Sequence, residues 1–269
     1  MALTADWDIG DRPIEPRPLS AETASERRAL RLRLGTIAQV ERPIRWPALS
    51  LSGYREIMSI RNNLIALALL VLSVPALAAV TAGTEYRAID PPQHGDPGGK
   101  IEVIEFFSYG CPHCNEFYPM ISAWAAKLPK DVVFKRVATG LGRTAWTNLA
   151  KTYYALESTG DLTRLDAQLF HAIHEEHLPL FDEKSISDWV GKHGVDQVKF
   201  NTAFESFGVN TRLNQSEEMV ENYKIDGVPA LTVNGKYLIL GDSFEKLLAN
   251  TDAVIAKVRA NAAAAAARK

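Results

Sequence analysis

The stretch Ile101-Glu102-Val103-Ile104-Glu105-Phe106-Phe107-Ser108-Tyr109-Gly110-Cys111-Pro112-His113-Cys114 decides the fold. An apolar run of strand length ends in a tight turn, and a C-x-x-C opens the segment that follows. From Asn115 to Trp124, Phe117, Met120, Ile121 and Trp124 recur on one helical face. Cys111 and Cys114 are the only 2 cysteines in the chain.

Two cysteines three apart in the first helical turn can close a small disulfide ring and open it again. Cys111, at the N-terminal edge, faces unpaired backbone N–H groups and the positive end of the helix dipole. Both favour a thiolate, and a His113 imidazolium adds to them. Such settings bring a cysteine from about 8.5 down to roughly 3.5–7.5. Pro112 suits an early helical position, where it has no N–H to leave unpaired. Cys114, a turn further in, is expected to be more buried and less ionised. Cys111 is therefore read as the attacking and attacked sulfur and Cys114 as the resolving one. A structural disulfide across three residues would constrain the unfolded chain little. Zinc would need two more ligands, which no cysteine supplies. His171, His174 and His177 have helix-face spacing and are read as ordinary surface or rim residues.

After this helix comes a turn at Leu128-Pro129-Lys130-Asp131, then a strand from Val132 to Val137. Strand, helix and strand of these lengths make a right-handed parallel βαβ unit. From about Gly142 to Tyr223 the periodicity is helical throughout, predicting helices near 144–157, 162–175, 186–193, 195–207 and 211–223. These form an inserted helical domain. The sheet resumes at Val228–Val233 and Lys236–Leu240, joined by Asn234-Gly235, a strong hairpin signal. Asp242 or Ser243 caps a last helix, Phe244–Val258, and the alanine-rich tail either extends it or frays. Upstream, Glu85–Ile89 reads as a short edge strand, and a Pro/Gly-rich loop leads into Ile101.

Two residues away from the C-x-x-C bear on it. A cis Val228–Pro229 bond would bring that loop against the cysteines and free backbone groups to pair with an extended peptide. Glu105 interrupts an otherwise apolar buried strand. It is either a strand-end carboxylate reaching solvent or a buried acid that exchanges a proton with Cys114, with Arg136 or Lys135 as counter-charge.

Composition gives no further partner. The chain has 269 residues, is 46% hydrophobic and carries a net charge of −2, with no basic excess to suggest nucleic acid. The N-terminal part is different. Residues 1–57 take all their basic residues as arginine and are interrupted by proline; they are read as disordered upstream sequence foreign to the native protein. Residues 58–78 have a charged start, an apolar run from Leu64 to Val74 and an Ala76-Leu77-Ala78 site, the pattern of a cleavable secretory signal peptide. The alternative is a cytoplasmic tail with Leu64–Ala79 as an uncleaved anchor. Export would place the protein in an oxidising compartment.

The segments Glu105–Cys114 and Gly227–Tyr237, with Pro119 inside the active helix, resemble the DsbA family of periplasmic thiol–disulfide oxidoreductases in the thioredoxin superfamily. The resemblance spans roughly Glu85–Val258. It implies an α/β thioredoxin fold with an inserted all-helical domain: 79–141 and 224–269 form the thioredoxin-like part and 142–223 the insertion. It implies catalytic Cys111, Cys114, His113 and Pro112, a buried acid at Glu105, and substrate binding at Val228 and Pro229, with no metal or organic cofactor. Reduced exported proteins are the implied substrates and a DsbB-type membrane quinone reductase the reoxidant, with a periplasmic, monomeric protein. A disulfide isomerase or reductase and a peptide-binding, chaperone-like module are the alternatives. DsbC-type isomerases rely on a dimerisation domain that the residues between Ala79 and Lys100 are too few to supply.

Overall fold

The computed structural model describes residues 80–96 and 98–268, so the readings of residues 1–57 and 58–78 lie outside it. Among the described residues, no helix is long and apolar enough to cross a membrane.

The Ile101 stretch forms β2 (Ile101–Phe107), buried along its whole length, after the short β1 (Tyr86–Ala88). The C-x-x-C opens α1 (Pro112–Ala125), and β3 (Val132–Ala138) follows, parallel to β2. The other strands are β4 (Ala230–Val233) and β5 (Tyr237–Ile239), giving the order β1-β5-β4-β2-β3. All pairings but β2–β3 are antiparallel. The β4–β5 hairpin turns at Asn234 (φ 56°) and Gly235 (φ 65°), as the Asn-Gly pair demands. A side chain at 235 would also strike the Gln93 backbone, 2.4 Å from where its Cβ would stand.

Alternation along β2 assigns its two faces. Ile101 and Val103 share a face with Glu105 and Phe107, while Ile104 and Phe106 point the other way. Val103 packs with Phe117 and Ile121 of α1 and with Val254 and Ile255 of α7 (Phe244–Ala266), so α1 and α7 cover the first face. Ile104 and Phe106 pack with Tyr223 and Ile225 on the second. Burying this apolar stripe of α1 contributes about 1.5–3 kcal/mol per large side chain, an upper estimate of its hold on the sheet.

The insertion consists of α2 (Thr144–Thr159), α3 (Leu162–His174), α4 (Glu183–Lys192), α5 (Gln197–Phe204) and α6 (Phe207–Tyr223). Its core is continuous with Phe107, Tyr109, Cys111 and Cys114, so the cysteines lie where the two parts meet. Several boundaries differ from the sequence-based expectation. The 195–207 helix is shorter because Asp196 caps its start and Ser206 caps a new helix, its hydroxyl accepting from the Val209 amide. The strand expected from Val228 begins at Ala230, because residues 228–229 form the loop against the cysteines. Of the alternatives left open for the C-terminal helix, the alanine tail extends it to Ala266 and Ser243 is its cap.

Candidate active site

Cys111 is the N-cap of α1, with Pro112 in the first helical turn and no acidic residue there to offset the dipole. The turn before it is tight: the Cys111 amide donates to Ser108 O at 3.1 Å, and the Gly110 amide to Ser108 Oγ at 3.3 Å. Gly110 is required here. A Cβ would lie 2.4 Å from Trp146 Nε1 of α2, which packs directly on the turn.

The two sulfurs, both free thiols, differ in environment. Cys111 is 4% exposed and Cys114 fully buried. The Cys111 pKa is lowered to about 6. The main cause is the hydrogen bond from the Cys114 thiol, followed by the Cys114 and His113 amides and then the His113 charge, all acting against burial. Cys114 is pushed far up, first by burial, then by that same hydrogen bond and the charge of Cys111, with Glu105 adding to it. The His113 side chain is exposed, and its charge is the smallest of these contributions to Cys111, behind the Cys114 sulfur and the two amides, one of them its own.

The Val228–Pro229 bond is cis, and the Cys111 thiol donates to Val228 O at 3.3 Å. Beside this contact lies a groove of about 640 Å³ whose lining includes His113, Val228, Pro229, Leu238, Leu240 and Phe244. Its lining is mixed, with Asp226, Asp242, Ser243 and Glu245 beside the apolar side chains, and a groove of this kind next to a cis-proline loop suits an extended peptide.

Beneath α1, Glu105 is fully buried. It stands opposite Arg136 in the β2–β3 register, and Arg136 Nε donates to Glu105 Oε2 at 2.7 Å. Lys135 points to the other face and pairs with Glu102 and Asp96, so alternation chooses between the two cations. Burial raises the Glu105 pKa; Arg136 lowers it less than burial raises it, and Asp166 adds to the rise. The strand-end reading of Glu105 is therefore excluded, because the side chain reaches no solvent.

The insertion supplies four side chains that sequence spacing alone gives no reason to place at this site. Arg136 Nη1 donates to Asp166 Oδ2 at 2.6 Å, and the Tyr109 hydroxyl to Asp166 Oδ1 at 2.5 Å. Phe170 meets the Tyr109 ring edge-on, with centroids 4.8 Å apart. His174 Nε2 lies 2.7 Å from Tyr109 O and the ring stacks on Phe170, which corrects its assignment as an ordinary rim residue. Trp146 completes the set. One signal was available: Asp166 breaks the stripe Leu162, Asp166, Phe170, His174 of α3, as Glu105 breaks β2.

A C-x-x-C at the start of a helix, after a buried strand and facing a cis-proline loop, on this sheet with a helical insertion, defines a thioredoxin-superfamily protein. Residues 102–252 match the model of the DSBA-like thioredoxin domain. The thiol:disulfide interchange protein DsbA of Bordetella parapertussis is 38% identical over 198 residues, covering 72% of this chain and 93% of that protein. The protein of the same name from Pseudomonas aeruginosa is 36% identical over 209 residues, 75% of this chain and 99% of that one. The crystal structure of Pseudomonas aeruginosa DsbA superposes with a TM-score of 0.65 at 36% identity, over 68% of this chain and 96% of that one. The chain belongs to the DsbA family.

Proposed function

We infer that this protein introduces disulfide bonds into reduced protein substrates by dithiol–disulfide exchange at Cys111 and Cys114. The observation that carries the reading is the asymmetry of the pair: a nearly buried sulfur that ionises near 6 beside one held protonated. A substrate thiolate attacks Cys111 of the disulfide form. The new substrate–Cys111 bond forms as the Cys111–Cys114 bond breaks, and Cys114 takes the electron pair and then a proton from Glu105. A second substrate thiolate attacks the substrate sulfur of this mixed disulfide, and Cys111 departs as its stabilised thiolate. The substrate leaves oxidised and the enzyme reduced. A stable thiolate in the product makes the enzyme's disulfide a strong oxidant.

Within this scheme Cys111 is the nucleophile, Cys114 the resolving thiol and His113 a minor tuner. Pro112 starts the helix, and Val228 and Pro229 hold the substrate backbone beside Cys111. Reoxidation falls to a DsbB-type membrane quinone reductase and the site of action is the periplasm, with the protein working as a monomer. The signal-peptide pattern at 58–78 and the family support export. No metal or organic cofactor enters these steps.

The test is refolding of reduced ribonuclease with catalytic amounts of the disulfide form. Cys111→Ser is expected to abolish catalysis, and full activity in that variant would leave only a peptide-binding module.

A further inference from the structure

The Glu105 carboxylate is held through one oxygen only. Oε2 accepts from Arg136 Nε, while Oε1 is buried with no hydrogen-bond partner among the described residues, and so is Arg136 Nη2. The rest of the guanidinium is directed elsewhere. Its Nη1 is committed to Asp166, its face lies 3.8 Å from the Phe107 ring centroid, and Tyr118 sits at 5.1 Å. One cation is thus shared by two carboxylates, one from the sheet and one from the insertion. Two carboxylates around a single guanidinium in a dry site favour leaving one of them neutral. Asp166 also receives the Tyr109 hydroxyl and is 14% exposed, whereas Glu105 is sealed from solvent. Of the two, Glu105 is the carboxyl on which burial favours a proton.

We propose that Asp166, carried by the inserted helical domain, is a positioning residue for thiol exchange: by engaging one arm of Arg136 it leaves Glu105 with a single contact and a free oxygen able to hold and release the proton that Cys114 exchanges. The inference rests on the proton-transfer reading of Glu105 and adds what controls it. When the Cys111–Cys114 bond breaks, the electron pair stays on Cys114 and the proton moves from Glu105 Oε1 to that sulfur. Glu105 is left as a carboxylate paired with Arg136. Before Cys114 attacks again, the proton returns. Without Asp166, Arg136 turns wholly to Glu105 and the carboxyl has no proton to give near neutrality. Around the cluster stand Cys114 and Tyr118 on α1, Tyr109 in the turn, Tyr153 on α2 and, beyond it, Glu157. Burial raises all three tyrosines, so none of them titrates between pH 5 and 9.

The experiment follows the carbon-13 carboxyl resonance of Glu105 against pH in glutamate-labelled reduced protein, with Glu105→Gln to identify the signal. In Asp166→Asn its midpoint falls by about one pH unit or more, the effect of giving a buried carboxylate sole use of a cation. In Asp166→Glu it returns towards wild type. Tyr109→Phe frees Asp166 to pull harder on Arg136 and moves the midpoint slightly the other way, upward; this variant decides the matter if Asp166→Asn does not fold. The rate of disulfide reduction by dithiothreitol loses its Glu105-dependent part at correspondingly lower pH in Asp166→Asn. An unmoved midpoint in Asp166→Asn, or in Tyr109→Phe where that variant stands in, overturns the proposal while leaving Glu105 its role. A Glu105→Gln enzyme with the wild-type rate–pH profile overturns the role of Glu105 itself.

Discussion

The lowered pKa of Cys111 makes the stability of the reduced protein depend on pH in a calculable way. Its folded value is about 6, against about 8.5 in an unfolded chain. A depressed acid stabilises the fold above its unfolded pKa, and that contribution is lost as pH falls through the folded one. For these two values the ionised sulfur shifts the folding equilibrium about tenfold at pH 7, on the order of 1 kcal/mol, and almost not at all at pH 5. Well above pH 8.5 the contribution approaches ~3 kcal/mol. Other groups titrate as well, so the comparison is between reduced wild type and Cys111→Ser, each unfolded in urea at a series of pH values. Their difference in unfolding free energy is expected to widen by roughly 1 kcal/mol from pH 5 to pH 7 and further towards pH 8.5. A difference flat across pH 5–8 would refute the reasoning, because no thiolate would then be stabilised by the fold.

His113→Ala removes the smallest of the contributors to Cys111, so the thiolate midpoint is expected to rise by about half a unit and the potential to fall by roughly 15 mV in a glutathione titration. Gly110→Ala drives a methyl into Trp146 and is expected to cost about 1–3 kcal/mol in urea unfolding while slowing insulin reduction. Arg136→Gln leaves Glu105 and Asp166 without their cation. Unfolding at pH 7 should show a loss of about 1–3 kcal/mol, because Glu105 Oε2 and Asp166 Oδ2 are left without their donor in a largely buried site.

Local signals carried most of the fold. The C-x-x-C after an apolar strand located α1 and β2, Asn234-Gly235 located the hairpin, and helical periodicity outlined the insertion. The Glu105 pairing was half legible: a neighbouring strand had to supply the cation, and alternation within β3 chose Arg136 over Lys135 once the register was known. The contacts made by the insertion were not legible. Asp166, Phe170 and His174 lie about sixty residues from the turn they hold, and sequence spacing says nothing of which helix face meets which loop. Ser206 ends one helix and starts the next through a single hydroxyl, too small a signal to stand out against a continuing apolar stripe. The largest influence on Cys111 was also hidden. The hydrogen bond from Cys114 depends on the relative placement of two sulfurs, whereas the His113 imidazole is conspicuous in the sequence and its charge contributes least.

The most direct test is alkylation of the reduced protein by iodoacetamide as a function of pH, followed at residue 111 by mass spectrometry. The expected midpoint lies near pH 6, with Cys114 unreactive throughout. A midpoint near 8.5, that of an unperturbed cysteine, would contradict the assignment of Cys111 as a stabilised leaving group and, with it, the oxidising power of the disulfide.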